Sequence, residues 1–220
     1  MPAEAAALPH TPAAELAAMI EPSRTALVVI DVQEDFVSPN GAMARIGLDL
    51  SGVEPALERI ERLIATGRAA GATIAFARVV TSAESDSQAL QLLNARKGRP
   101  PQAIAICRED QTGSAYYRVA PEPGDIEAPK RLFNTFHGTR FDEDLRARGV
   151  DTLVVVGFTT DCCVESTCRD AFHRDYSVFV VSDATDAYGA ELHVGALRAL
   201  QKNVALLAKT EAVLAAWAVD

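Results

Sequence analysis

Short uninterrupted apolar runs alternate along this chain with longer stretches in which apolar residues recur every third or fourth position. Ala26-Leu-Val-Val-Ile30 and Thr73-Ile-Ala-Phe-Ala-Arg-Val79 have the length and content of buried strands. Between them Val53, Leu57, Ile60, Leu63 and Ile64 keep helical spacing until the breakers Gly67 and Gly71. This predicts a β-α-β unit. The alternation resumes with a strand over Leu153 to Val156 and a helix from Cys163 that carries Val164, Thr167, Cys168, Ala171 and Phe172 on one stripe. Then follow Ser177 to Ser182 as a strand, a helix from about Gly189 to Gln201, Asn203-Val-Ala-Leu-Leu207 as a strand, and a last helix through Trp217. Strands apolar on both faces, separated by helices, predict an α/β protein with a parallel sheet covered on both sides.

Two stretches break the pattern. Residues 1–24 are Ala-rich with prolines at 2, 9, 12 and 22, which predicts a loosely attached tail with one short helix near Ala13 to Met19, and a single domain over 25–220. Residues 81–125 are rich in Ser, Gln, Asn, Gly and Pro and have little periodicity; an insertion of that length predicts a lid or binding loop. The glycines form neither a GxGxxG nor a Walker pattern, so a nucleotide-binding version of this architecture is not supported.

Composition narrows the partners. A net charge of -9 and a pI near 5.0 argue against nucleic acid and anionic membranes, both of which attract basic patches. No run approaches the roughly 20 apolar residues of a membrane span, and the acidic start of the chain does not read as a signal peptide. Three of the four cysteines fall between 162 and 168, which matches neither a disulfide framework nor a zinc site. Reduced thiols and a cytoplasmic location are expected.

In open α/β sheets, ligands bind beyond the carboxyl ends of the strands, so polar residues just after apolar runs are the ones to inspect. Asp31 follows the first run directly, where partial burial raises a carboxyl pKa and suits it to proton transfer. Cys163 lies where a strand hands over to a helix; backbone N–H groups and the helix dipole there predict a lowered thiol pKa and a place for an oxyanion. Helix phase does not choose between Cys162 and Cys163. Lys130 brings a cation just after the irregular region, followed by the aromatic and polar strip Phe133-Asn-Thr-Phe-His137. One Asp, one Lys and one Cys near strand ends would supply a base, a positive charge and a nucleophile.

Three segments in this order resemble the isochorismatase-like cysteine hydrolases, a family that includes nicotinamidases, N-carbamoylsarcosine amidohydrolase, biuret hydrolases and ureidoacrylate amidohydrolases. They are Ala26-Leu-Val-Val-Ile-Asp-Val-Gln-Glu-Asp-Phe36, Pro129-Lys-Arg-Leu-Phe-Asn-Thr-Phe-His-Gly-Thr139 and Gly157-Phe-Thr-Thr-Asp-Cys-Cys-Val164, and the match runs from about residue 25 to the C-terminus. The resemblance implies a three-layer α/β/α fold with a six-stranded, mainly parallel sheet in Rossmann-like order. It implies Asp31 as base, Lys130 as the catalytic cation and Cys163, the cysteine directly before Val164, as nucleophile. It also implies a non-proline cis peptide between Phe158 and Thr159 that aims the Thr159 N–H, with that of Cys163, at an oxyanion. Gln33, Phe36, Phe133, Asn134, Phe136 and His137 are the candidates for lining the substrate pocket, and a homo-oligomer, dimer or tetramer, is implied.

Departures from the family's patterns bear on the substrate. Nicotinamidases carry an Asp/His metal site after the second strand, whereas Arg78 to Asp86 contains no His, so neither a metal nor another cofactor is expected. Isochorismatases that cleave a vinyl ether lack the nucleophilic cysteine. Its presence favours a small carboxamide or ureide over an ether, and the retention of all three candidate catalytic residues speaks against a silent small-molecule-binding protein. The Val-Glu-Ser-Thr after Cys163 is similar to the ureidoacrylate and triuret hydrolase branch.

Overall fold

A short helix, α1 (Ala13–Met19), leads into β1 (Thr25–Ile30), whose residues are all buried, in a computed structural model that describes residues 8–218. Single-turn helices α2 (Glu34–Val37) and α3 (Ala42–Arg45) precede the long α4 (Val53–Ala70) and β2 (Thr73–Val79). The irregular region contains α5 (Gln88–Arg96) and two 3-10 turns, and ends in β3 (Ile126–Lys130). Helix α6 (Phe141–Ala147), β4 (Thr152–Phe158), a π-type turn at Thr160–Val164 and α7 (Glu165–His173) follow. The chain closes with β5 (Ser177–Asp186), α8 (Ala190–Asn203), β6 (Leu206–Ala208) and α9 (Thr210–Ala216).

All six strands are parallel and run in the order β3-β2-β1-β4-β5-β6, the Rossmann arrangement. Each face of the sheet carries its own core. On one face Leu57, Ile60 and Leu63 of α4 meet Val29, Phe76 and Val156, together with Trp217. On the other, Phe141, Leu145, Cys168, Ala171 and Leu197 pack on Val28, Ala75, Val155 and Val180. Helix α4 keeps its apolar residues at helical spacing and stops at Gly71, whose φ of 83° satisfies the last carbonyls in a left-handed cap.

Two expectations change. The segment read as a loosely attached tail is, from residue 8 on, part of the body: Leu16 and Ile20 are fully buried, and the Trp217 indole donates to the Ile20 carbonyl at 2.8 Å. Residues 1–7 of that segment lie outside the described residues. The strand expected over Asn203 to Leu207 is displaced to Leu206–Ala208, because α8 continues to Asn203. Strand β3, with Glu127 and Pro129 in a five-residue edge position, alternates buried and exposed residues and carries no continuous apolar run.

Strands β1 and β4 meet at the point where the strand order reverses. At their carboxyl ends Ile30 pairs with Gly157, and a Cβ on Gly157, which has φ of 114°, would fall 2.1 Å from the Ile30 carbonyl oxygen. Only glycine lets the two chains approach this closely just before Asp31 and Thr159.

Candidate active site

Asp31 leaves β1 in a left-handed conformation, φ 53°, with its N–H donating to the Ala77 carbonyl at 2.9 Å. That turn points a fully buried carboxylate along the end of the sheet. Lys130, the last residue of β3, reaches it across β2, and its Nζ donates to Asp31 Oδ2 at 2.6 Å and to the Leu132 carbonyl at 3.1 Å. Cys163, buried in the π-type turn after β4, presents its thiol to both. The Phe158–Thr159 peptide is cis, and the Thr159 N–H makes no hydrogen bond among the described residues. Three strand ends that are far apart in sequence thus place a carboxylate, an ammonium and a thiol together.

Burial raises the pKa of Asp31, against the opposing pull of Lys130. Burial alone would lower Lys130, but Asp31 and Cys163 outweigh it and the ammonium is held above its ordinary value. Cys163 departs from the expectation of a lowered pKa. Its contact with Cys162, its burial and the Asp31 charge push it well above the ordinary thiol value. The thiol sits inside a π-type turn, ahead of α7 and out of solvent, so the helix dipole does not govern it. Cys163 is therefore a thiol beside an ionisable carboxylate that can take its proton.

The cluster opens into a cavity of about 260 Å³. Asp31, Thr159, Cys162 and Cys163 form its floor, and Tyr188, whose hydroxyl donates to the Phe36 carbonyl at 2.9 Å, forms one wall. Leu90, Asn94, Arg99 and Ile104 close it from the irregular region, so part of the stretch 81–125 does cover the site. A larger hollow of about 800 Å³ lies at the amino ends of β4 and β5, away from this cluster.

Of the residues expected to line the pocket, Phe36 and Phe133 do so. Gln33 does not: its buried amide donates to the Val79 and Ser114 carbonyls and accepts from the Val79 N–H, tying β1 to β2 and to the irregular region. Asn134 donates to Asp170 at 2.6 Å, and Phe136 packs on Phe141 with ring centroids 5.0 Å apart, so both fasten their strip to α6 and α7. His137 lies beside a separate depression next to Arg131 and Gly138. Leu90, Asn94, Arg99, Ile104 and Tyr188 were not identifiable by their own sequence context; for the first four the only signal was the length of the irregular insertion, and for Tyr188 there was none.

Rossmann strand order together with a thiol, a carboxylate and an ammonium at the switch point defines an α/β/α domain of the cysteine-hydrolase type. The chain belongs to the isochorismatase family, whose Isochorismatase domain model matches residues 25–212. It is 40% identical over 189 residues to the ureidoacrylate amidohydrolase RutB of Methylobacterium radiotolerans, covering 81% of this chain and 73% of that protein. It is 37% identical over 206 residues to the RutB of Variovorax paradoxus, covering 86% and 81%. Among solved structures, a cysteine hydrolase from Pseudomonas syringae pv. phaseolicola superposes with a TM-score of 0.78 at 27% identity, covering 90% of this chain and 94% of the other.

Proposed function

We propose that the protein is an amidohydrolase that cleaves a C–N bond of a small carboxamide or ureide through a thioester on Cys163. The observation that carries this reading is that Asp31 and Cys163 line one cavity at the β1/β4 switch point, with the buried Lys130 ammonium held on Asp31 behind it. The relatives named above, two of them ureidoacrylate amidohydrolases, support the reaction class.

The steps follow from the groups present. Asp31 takes the Cys163 proton as the sulfur attacks the carbonyl carbon, and Lys130 balances the negative charge that moves between carboxylate and sulfur. The Thr159 N–H, free of other acceptors, and the Cys163 N–H hold the developing oxyanion; one such donor is worth about 3 kcal/mol in the transition state. Asp31, now protonated, gives its proton to the leaving ammonia or amine. It then takes a proton from the water that cleaves the thioester, and the thiol is restored. The enclosed, largely apolar cavity strengthens each of these electrostatic contacts.

The test is ammonia release across a panel of small amides, biuret, ureidoacrylate and carbamoyl amino acids, with Cys163→Ala protein as the blank. Turnover by the wild-type protein, none by the variant at unchanged fold, and an acyl mass increment on Cys163 are expected. An active Cys163→Ala protein would overturn the assignment, and turnover without any covalent increment would favour direct hydrolysis.

A further inference from the structure

Twelve of the seventeen arginines in this acidic chain pair with a carboxylate within 4.0 Å. Arg99 and Arg131 are among the five that have no such partner among the described residues, and both line the catalytic cavity. Asp31, already held by Lys130, is the one acidic residue in that lining. The cavity therefore opens through a positively charged mouth in a protein whose net charge is -9.

Arg99 is not simply a solvated side chain. Its Nη1 donates to Asn94 Oδ1 at 3.2 Å and its backbone N–H to the Asn94 carbonyl at 2.9 Å. Asn94 is itself buried, and its Nδ2 donates to the Leu90 carbonyl at 3.0 Å within α5. A buried amide thus spends its acceptor on orienting a guanidinium that has no anion to meet. Arg131 approaches from the other side, next to Lys130, whose ammonium points inward to Asp31 while Arg131 stays at the surface.

We propose that Arg99, positioned by Asn94, and Arg131 bind a carboxylate at the end of the substrate remote from the scissile carbonyl. The substrate class is then a ureido or carbamoyl acid rather than a neutral amide. Fork-shaped guanidinium contacts to a carboxylate are strong and directional, and two of them in the exposed part of the cavity lining would fix which end of the molecule reaches Cys163. The assignment rests on the reading of the cavity as the amidohydrolase site.

The experiment separates binding from turnover. Binding of ureidoacetate, 3-ureidoacrylate and 4-ureidobutyrate, each against its methyl ester, is measured by calorimetry on Cys163→Ala protein with and without Arg99→Gln, Arg131→Gln or Asn94→Ala. At least one acid is expected to bind about 10- to 100-fold tighter than its ester, as charge-assisted hydrogen bonds do. Arg99→Gln or Arg131→Gln should remove most of that advantage without weakening the ester. Asn94→Ala should reduce it by a smaller factor, and added salt should erode it. If no acid exceeds its ester, or if neither arginine changes the ratio, the inference is overturned even where wild-type protein releases ammonia. If the acid preference holds but wild-type protein turns over none of the three, the amidohydrolase reading fails instead.

Discussion

Lys130 Nζ donates to Asp31 Oδ2 at 2.6 Å inside the protein, while Asp31 Oδ1, equally buried, makes no hydrogen bond among the described residues. One oxygen is fixed by a cation and the other has no partner, in a carboxylate that the Cys163 thiol approaches. A buried ion pair is costly to break from one side, because the surviving charge has neither water nor a partner. Lys130→Met is therefore expected to destabilise the fold by about 3–5 kcal/mol. Adding Asp31→Asn to that variant should recover a good part of the loss, since no charge is then stranded. Urea unfolding of the single and double variants reads this; a double variant no more stable than Lys130→Met would contradict the pairing.

The pH dependence follows from the same two residues. Burial raises the Asp31 pKa and Lys130 opposes the rise, with the net shift upward. Asp31 accepts the thiol proton only when ionised, so kcat/KM should fall on the acid side at a pH above the ordinary carboxylate value of about 3.9. The linked stability has the opposite sense. A carboxyl whose folded pKa is raised holds its proton more firmly in the native state, so its contribution to stability is full below the unfolded pKa. That contribution is lost as pH rises through the folded value. Asp31→Asn should flatten this part of the stability profile, measured by thermal unfolding from pH 3 upward in steps of about one unit.

The strands that place Asp31 and Thr159 were legible because β1 and β4 are buried along their whole length, which forces continuous apolar runs. β3 was not, since an edge position tolerates Glu127 and Pro129 and needs only alternate burial. Within the site, Asp31 and Lys130 stood out by their place after the apolar run and the irregular region, and the family resemblance selected Cys163 over Cys162, whereas the pocket walls were not legible. Phe133 and Phe136 look equivalent in sequence, yet one faces the cavity and the other the core of α6 and α7. Arg99 and Asn94 reach the site only through the fold of the irregular region, a long-range placement that leaves no local pattern.

Cys162 and Cys163 both border the cavity, but they are not equivalent. Cys163 is buried and its pKa is raised first by its contact with Cys162, whereas Cys162 is only partly buried and lowered by that same contact. Removing the Cys162 sulfur takes away the leading cause of the upward shift. In Cys162→Ala protein, alkylation of Cys163 by iodoacetamide should therefore begin at lower pH than in the wild type, and turnover should persist. Peptide mass mapping of the alkylated site across pH checks both points, and loss of all activity on replacing Cys162 would reverse the assignment of the two thiols.

The nucleophile turn is held from behind. Thr160 Oγ1 and His193 Nδ1 of α8 lie 2.8 Å apart, and His193 is itself placed against Asp186 and the Ser182 backbone. His193 is not among the residues that line the cavity, and its side-chain hydrogen bond is to Thr160, so its expected role is that of a positioning residue acting through Thr160. Replacing His193 with Ala should lower kcat by about 2- to 10-fold, the worth of one hydrogen bond, with KM little changed. Asn can present its amide near the Nδ1 position, so His193→Asn should retain more activity than Ala. A rise in KM at constant kcat would mean that the contact shapes the substrate pocket instead.

Helix α1 gives a stability prediction opposite to what its sequence suggests. An Ala-rich segment with flanking prolines reads as a detachable tail, and truncating an apolar side chain in such a tail would cost close to nothing. Here Leu16 is fully buried in the same core as Trp217, Leu57 and Leu63, and the Trp217 indole donates to the Ile20 carbonyl that α1 delivers. Leu16→Ala removes buried methyl groups at a place where α1, α4 and α9 hold one another, so the core cannot easily close over the gap. A loss of about 2–5 kcal/mol is expected, as for other buried leucines. The Asp31, Lys130 and Cys163 cluster lies at the other end of the sheet, so kcat at low temperature should stay near the wild-type value while the unfolding midpoint falls. Equilibrium unfolding followed by Trp217 fluorescence, the signal of the chain's one tryptophan, measures the loss at the contact itself; a midpoint indistinguishable from wild type would return α1 to the status of a loose appendage.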